Sequence, residues 1–147
     1  MKRAALLFGL LILAACGGPG SAPKNLDDAC SIVRQNPSYL KAFKKTQGKW
    51  GIPVALQMAV IYQESKFRAK ARTPFRYSMG VIPMGRQSSA YGYSQALDAT
   101  WDEYRRKTRS LGAKRHNIGD ATDFMGWYMD QSYEKVGISK TDTAAQY

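Results

Sequence analysis

The chain holds little of what builds metal centres or disulfide frameworks: two cysteines and one histidine in 147 residues. Neither a zinc site nor a disulfide scaffold can be assembled from those residues. Acid is scarce as well. Eleven Asp and Glu stand against 22 Lys and Arg, a formal charge of +11, and residues 29–63 contain no acid at all. That excess fits an anionic partner, whether nucleic acid, an acidic membrane face or a carboxylate-bearing polymer, without choosing among them. What is present suffices for one folded domain. Hydrophobic residues make up 44% and aromatics 12% of the chain, which excludes wholesale disorder.

Lys2-Arg3 precedes an apolar run from Ala4 to Leu13, which is followed by Ala14, Ala15 and Cys16. A basic start, a short apolar stretch and small residues make the pattern of a signal peptide, too short to span a bilayer. Leu13-Ala14-Ala15-Cys16 resembles the lipobox of bacterial lipoproteins. The resemblance implies cleavage before Cys16 and a lipid on its sulfur. Loss of Lys2 and Arg3 then takes two charges from +11 and leaves +9. Cys30 is left alone, so no disulfide forms within a monomer, and it is expected as a small buried residue on a helix. Gly17, where retention at the inner membrane would call for Asp, points to the outer membrane, facing the periplasm. The expected division is a signal peptide over 1–15, the lipidated Cys16 with a Gly/Pro-rich flexible tether over 16–25, and one domain over 26–147.

From Leu26 onward helical spacing recurs and strand-like alternation is rare, so the domain is expected to be mostly α. Leu26, Ala29, Ile32 and Val33 share a face, and Pro37 is expected to stop that segment. Ser38 is a candidate cap for a second helix carrying Tyr39, Leu40 and Phe43 toward Trp50. After Gly51-Ile52-Pro53 the segment Val54 to Tyr62 is apolar nearly all round, interrupted by Gln57. Such a helix is expected at the centre, buried on most sides. Asp120 is expected to cap a later helix with Ala121, Phe124, Met125, Tyr128 and Ser132 on one face.

Between Arg68 and Ala90 the helical pattern fails. Pro74, Gly80, Pro83 and Gly85 are mixed with Arg68, Lys70, Arg72, Arg76 and Arg86. A loop of that length is usually functional or disordered, and its apolar residues argue for a structured flap over a site, with a short hairpin. At the other end, Ser139-Lys-Thr-Asp142 announces a helix with only five residues to follow.

Glu64 closes the apolar segment and ends the acid-free stretch. An apolar surround and the negative end of the helix dipole would both favour its neutral, proton-carrying form, as a general acid requires. Ser65 is placed to orient it. A plain helix-end Glu paired with Lys66 or Arg68 is the competing reading. Further on, Tyr91, Tyr93 and Trp101 offer flat faces for sugar rings, Gly92 permits close approach to the backbone, and Gln95 can donate and accept. Aromatics at such spacings also occur simply as core.

Taken together, Glu64-Ser65, a long loop, and then Ala90-Tyr-Gly-Tyr-Ser-Gln-Ala96 resemble the soluble lytic transglycosylase domain. Tyr93 and Ser94 replace the Leu and Met of that family's Gly-Leu-Met-Gln motif, and Asp98-Ala99-Thr100 replaces its Pro-x-Thr. The resemblance implies a lysozyme-like α fold and cleavage of peptidoglycan between N-acetylmuramic acid and N-acetylglucosamine. Glu64 would be the catalytic residue, with Ser65, Tyr91, Gly92, Tyr93, Gln95 and Trp101 binding the glycan strand. One carboxylate suffices because the muramoyl C6 hydroxyl is the nucleophile. Asp98, Asp102 and Glu103 are expected to be solvated partners of neighbouring bases. The family's Ala-Tyr-Asn type motif would fall just past Tyr147, so the chain is expected to be shortened relative to its relatives. No cofactor or metal is implied, and the chain is expected to be a monomer, held at the membrane by its lipid.

Two other readings remain. One is a peptidoglycan-binding lipoprotein of the same fold without effective catalysis. The other is a nucleic-acid module built on Lys41, Lys44, Lys45 and Lys49 with Arg105, Arg106, Lys107 and Arg109. No zinc-finger or RNP-type motif accompanies those clusters, and an exported chain does not meet nucleic acid.

Overall fold

The computed structural model describes residues 22–137. The signal-peptide and lipobox residues, and the helix start at Ser139, therefore lie outside the described residues. Five helices and one hairpin follow in order: α1 (Ala29–Gln35), α2 (Pro37–Trp50), α3 (Val54–Ser65), β1 (Phe75–Ser78), β2 (Ile82–Arg86), α4 (Asp98–Lys107) and α5 (Ile118–Val136). The expected mostly α domain with a hairpin in its long loop is what forms.

Local chemistry sets the boundaries. Asp28 caps α1 by accepting from the Ser31 N–H at 3.0 Å. Pro37 does not merely stop α1; it opens α2 at the first helical position, where its missing N–H costs nothing. Asn36 alone separates the two helices, and Ser38 caps neither. Gly51 ends α2 at φ 74°, and the Gln47 side chain then accepts from the Val54 N–H at 3.1 Å to start α3. The cap of α5 is Asn117, not Asp120: its side chain accepts from the Asp120 N–H. Asp120 instead sits in the first turn and accepts from the Lys114 N–H at 2.9 Å.

The central helix is α5 rather than α3. Ala121 and Met125 enter a cluster with Ile32, Tyr39, Phe43, Ile61, Phe67, Ala69 and Tyr93. Phe124 and Trp127 enter a second, aromatic cluster with Ala96, Trp101 and Tyr104. Where α5 crosses α2, Gly126 makes room for the Trp50 and Thr46 side chains: a Cβ there would lie 2.4 Å from Trp50 Cδ1. Helix α3 buries Gln57, Ile61 and Ser65, while Ala55, Ala59 and Glu64 are exposed. Its remaining apolar residues line two grooves. Val60 faces one with Glu64, and Met58 and Tyr62 face another with Leu26 and Ile32. An all-round apolar helix here means open grooves on both flanks. Gln57, its polar interruption, pins α3 by donating to the carbonyls of Phe43 (3.0 Å) and Ile52 (2.7 Å). Cys30, expected to be buried, is exposed on the first turn of α1.

One polar node joins three helices. Asp123 on α5 accepts from Lys49 Nζ at 2.9 Å, Trp50 Nε1 at 2.8 Å and Tyr104 Oη at 2.7 Å. Burial by itself would raise this carboxyl, but the three donors and the Lys49 charge outweigh it, and Asp123 is held below its ordinary value of 3.8. A depressed folded value means that the node stabilises the fold fully above pH about 4 and less as pH falls through the folded value. Asp123→Asn is expected to lower stability at pH 7 by about 1–3 kcal/mol and to flatten the loss of melting temperature below pH 4. A variant whose acid profile matched the parent's would exclude the node as its origin. Tyr104 is shifted upward by burial and by its bond to Asp123.

Candidate functional site

Glu64 stands in the last turn of α3, just before Lys66 and Phe67 take positive φ (52° and 57°) and swing the chain away. Both are non-glycine residues in the left-handed region, a local cost held in place by the packing of buried Phe67. The two bases that could neutralise Glu64 are engaged elsewhere. Lys66 Nζ lies 3.6 Å from the centroid of the Tyr62 ring, and Arg68 Nε donates to the Ser65 carbonyl at 3.1 Å. Among the described residues Glu64 has neither an ion pair nor a hydrogen bond. The helix-end ion pair considered for Glu64 is therefore not formed.

The carboxylate opens on a groove of about 340 Å³ between α3, the segment after Gly92 and α5. Its walls include Val60, Phe124, Met125, Tyr128 and Met129, and its polar groups come from Ser94, Gln95, Thr100 and Ser132. Among the described residues Glu64 is its one carboxylate. These walls flank Glu64 without enclosing it, because the residue is exposed; the expected apolar surround is one-sided. The crevice continues past Thr100, Tyr128 and Ser132 to Glu103, Lys107 and Lys135.

The Tyr91–Ala96 segment is a tight turn anchored on every side. The Gly92 N–H donates to Ala71 at 3.0 Å and the Tyr93 N–H to the Arg115 carbonyl at 3.2 Å. Gln95 sits at φ 46°, held by its Nε2, which donates to the carbonyls of Ala71 (3.0 Å) and Gly92 (2.8 Å). With both amide protons used, Oε1 is what Gln95 can offer the groove. Ser94 Oγ is buried with no hydrogen-bond partner among the described residues.

Of the residues expected to bind, only Glu64 and Gln95 line the groove. Ser65 neither orients Glu64 nor reaches the groove; it is buried and its Oγ donates to the Ile61 carbonyl at 3.1 Å. Tyr93 is core, its hydroxyl 3.0 Å from that of Tyr39, and burial pushes both phenols above the usual tyrosine value. Trp101 is buried against Tyr104 and Phe124. Tyr91 is covered by Arg72, whose guanidinium lies 4.2 Å from the ring centroid. Gly92 does permit a close approach, but of the Arg115 backbone and not of a ligand. Gly92 and Tyr93 pack because their turn is held between Ala71 and Arg115, and Trp101 because it belongs to the aromatic cluster between α4 and α5. The hairpin, expected over a site, adds no residue to this groove's lining.

Sequence reasoning missed two residues. Arg115 clamps the turn by accepting from Tyr93, donating to the carbonyls of Ser89 (3.2 Å) and Ala96 (2.9 Å) and pairing with Asp98 at 2.7 Å. Tyr128, read as part of a buried helix face, is 52% exposed on the groove wall with its ring stacked on Phe124. A polar-edged aromatic at the end of an apolar stripe was the signal available for it. Asp98, Asp102 and Glu103 are paired with Arg115, Arg105 and Lys107 as expected. Among the described residues no cluster of His, Cys, Asp or Glu could hold a metal ion.

A family model described as the transglycosylase SLT domain matches residues 4–147. No curated protein and no solved structure matches the chain.

Proposed function

The chain belongs to the transglycosylase SLT domain family, and from that premise we propose that it is a lytic transglycosylase cutting peptidoglycan strands between N-acetylmuramic acid and N-acetylglucosamine. The observation that carries this reading is Glu64: the single carboxylate among the described residues of a groove, with both neighbouring bases drawn away from it.

In this mechanism a strand in the groove displaces water from the Glu64 carboxyl against Val60 and Met129. Glu64 gives its proton to the bridging oxygen as the glycosidic bond breaks, and the N-acetylglucosamine side leaves as an alcohol. The resulting carboxylate takes the proton from the muramoyl C6 hydroxyl, whose oxygen closes onto the anomeric carbon. One 1,6-anhydro end forms, no water is consumed, and Glu64 regains its proton. A two-carboxylate glycosidase would need a second acid across the bond, and here the nearest acids after the hairpin are tied to bases. Gln95, whose Oε1 is not used by its own turn, is the groove residue we assign to sugar hydroxyl or acetamido groups. The basic chain suits a polymer bearing stem-peptide carboxylates.

The test is digestion of purified sacculi by the chain, with the soluble products read by mass spectrometry. Anhydro-muropeptides are expected; reducing ends would make the enzyme a hydrolase, and no products from a folded chain would leave a binding protein. That second reading draws on the exposure of Glu64, because an acid flanked and not enclosed depends on the substrate to exclude water. Tyr128 supplies the sugar platform. Tyr128→Ala is expected to weaken binding of soluble glycan fragments about tenfold through lost stacking, measured by calorimetry; unchanged affinity would remove Tyr128 from the site.

The localisation proposed for this enzyme is the cell envelope, with a lipid on Cys16 tethering it to the outer membrane and the domain facing the periplasm. Incorporation of labelled palmitate that disappears in Cys16→Ser tests that part separately.

A further inference from the structure

The hairpin is the one element whose apolar residues find no cover among the described residues. Its register pairs Tyr77 with Pro83 and Ser78 with Ile82, with a bulge between Phe75 and Tyr77. Strand alternation therefore places Phe75, Tyr77 and Pro83 on one face and Ile82 on the other, while Met84 falls in the bulged stretch of β2. Both faces are exposed. Phe75, Tyr77, Ile82 and Met84 are 46–67% accessible, and at the turn Val81 reaches 77% and Met79 90%. The turn is sharp, with Met79 and Gly80 both at positive φ, so the apolar tip projects.

Along the chain on either side of this tip all formal charge is positive. Residues 65–97 contain no acid and six bases: Lys66, Arg68, Lys70, Arg72, Arg76 and Arg86. The Arg86 guanidinium carbon lies over the Phe75 ring, 4.4 Å from its centroid, and Arg86 donates to the Thr73 carbonyl, at the base of the hairpin.

We infer that the hairpin is a membrane-contacting wedge, inserting its Met79–Met84 tip into the interface of an anionic phospholipid surface while the surrounding bases engage lipid phosphates. A protein partner would cover one face of a two-stranded ribbon; apolar side chains on both faces and at the tip match a solvent that surrounds the ribbon. The acid-free rim supplies the charge complementarity. Depth is limited to the interface, because the outer edges of two strands leave backbone groups that only water and headgroups can satisfy, and no described helix is long and apolar enough to cross a membrane. Tyr77 suits that depth, with an apolar ring and a polar tip. This contact is separate from any lipid on Cys16 and stands whether or not Glu64 is catalytic. It would hold the domain against a bilayer by two points.

The test uses the full chain with Cys16→Ser and Cys30→Ser, carrying an environment-sensitive fluorophore on Val81→Cys, or on Leu111→Cys as a distant exposed control. Vesicles containing phosphatidylglycerol are expected to blue-shift the label at position 81 and not at 111, and phosphatidylcholine vesicles to shift neither. Lys70→Gln and Arg76→Gln are each expected to lower the inserted-to-free ratio about fivefold, and Met79→Asp to abolish the shift with helical circular dichroism unchanged. No shift with phosphatidylglycerol overturns the wedge. Equal shifts at 81 and 111 overturn it in favour of general adsorption, and equal shifts with both lipids remove the anionic requirement. A shift that grows with protein concentration without vesicles replaces the membrane with a second copy of the chain.

Discussion

Glu64→Gln is expected to lower the rate of strand cleavage about a thousandfold, the scale of a lost general acid and base, while sacculus binding stays close to the parent's. Gln keeps the shape and can still hydrogen-bond, but it carries no acidic proton to give to the leaving oxygen and cannot take one from the C6 hydroxyl. Because Glu64 has no hydrogen bond or ion pair within the described residues, its replacement breaks no structural contact, and the melting temperature is expected to hold. That separates the chemical role from a folding role. Product release from sacculi and pull-down by sacculi, measured on the same preparation, decide the matter. If cleavage persists at the parent's rate, Glu64 is not the acid; if cleavage and binding fall together, Glu64 acts in binding.

The second large effect is on stability. Gly92→Ala is expected to cost about 3–5 kcal/mol, a large part of the stability of a small domain. At φ 85° an added Cβ would lie 2.1 Å from the Arg115 carbonyl oxygen and 2.6 Å from its carbon, both backbone atoms. Left-handed strain adds about 1–3 kcal/mol, and displacing a packed segment a comparable amount. The Tyr93 N–H bond to that carbonyl is lost with it, and the turn carrying Ser94 and Gln95 moves out of the groove. Gly112→Ala is the matched control, since nothing lies within 4 Å of a Cβ there. Urea midpoints for the two variants should differ widely; an equal, small shift in both would show that the turn yields easily and that Arg115 is not fixed.

Glu64 is legible in the chain because an acid-free stretch ends on it at the close of an apolar segment. Gln95 is legible through its motif. The aromatics around them are not, because Tyr93 and Trp101 have the same composition as a sugar platform and only their neighbours, Tyr39 and Phe124, show them to be core. Arg115 leaves no trace, since half of its work is done by a backbone carbonyl that every residue type possesses. Tyr128 illustrates the limit of periodicity: the 3.6-residue repeat finds the face of α5 but not the turn at which that face leaves the core.

By itself the sequence determined the helical class, the hairpin in the long basic loop, the solitary acid and the family motif, because these rest on residue type and short-range spacing. Only the tertiary structure decided that α5 and not α3 is central, that the grooves flank α3, and that Lys66 and Arg68 turn away from Glu64. It also decided that the hairpin tip stands bare. The placing of α5 and of the grooves depends on which distant segments meet, whereas Lys66 and Arg68 are drawn off by partners within four residues. Contacts such as the Gly92 backbone with that of Arg115, or the Trp50 side chain against Gly126, join residues far apart in the chain, and close approach of that kind has no local pattern to betray it.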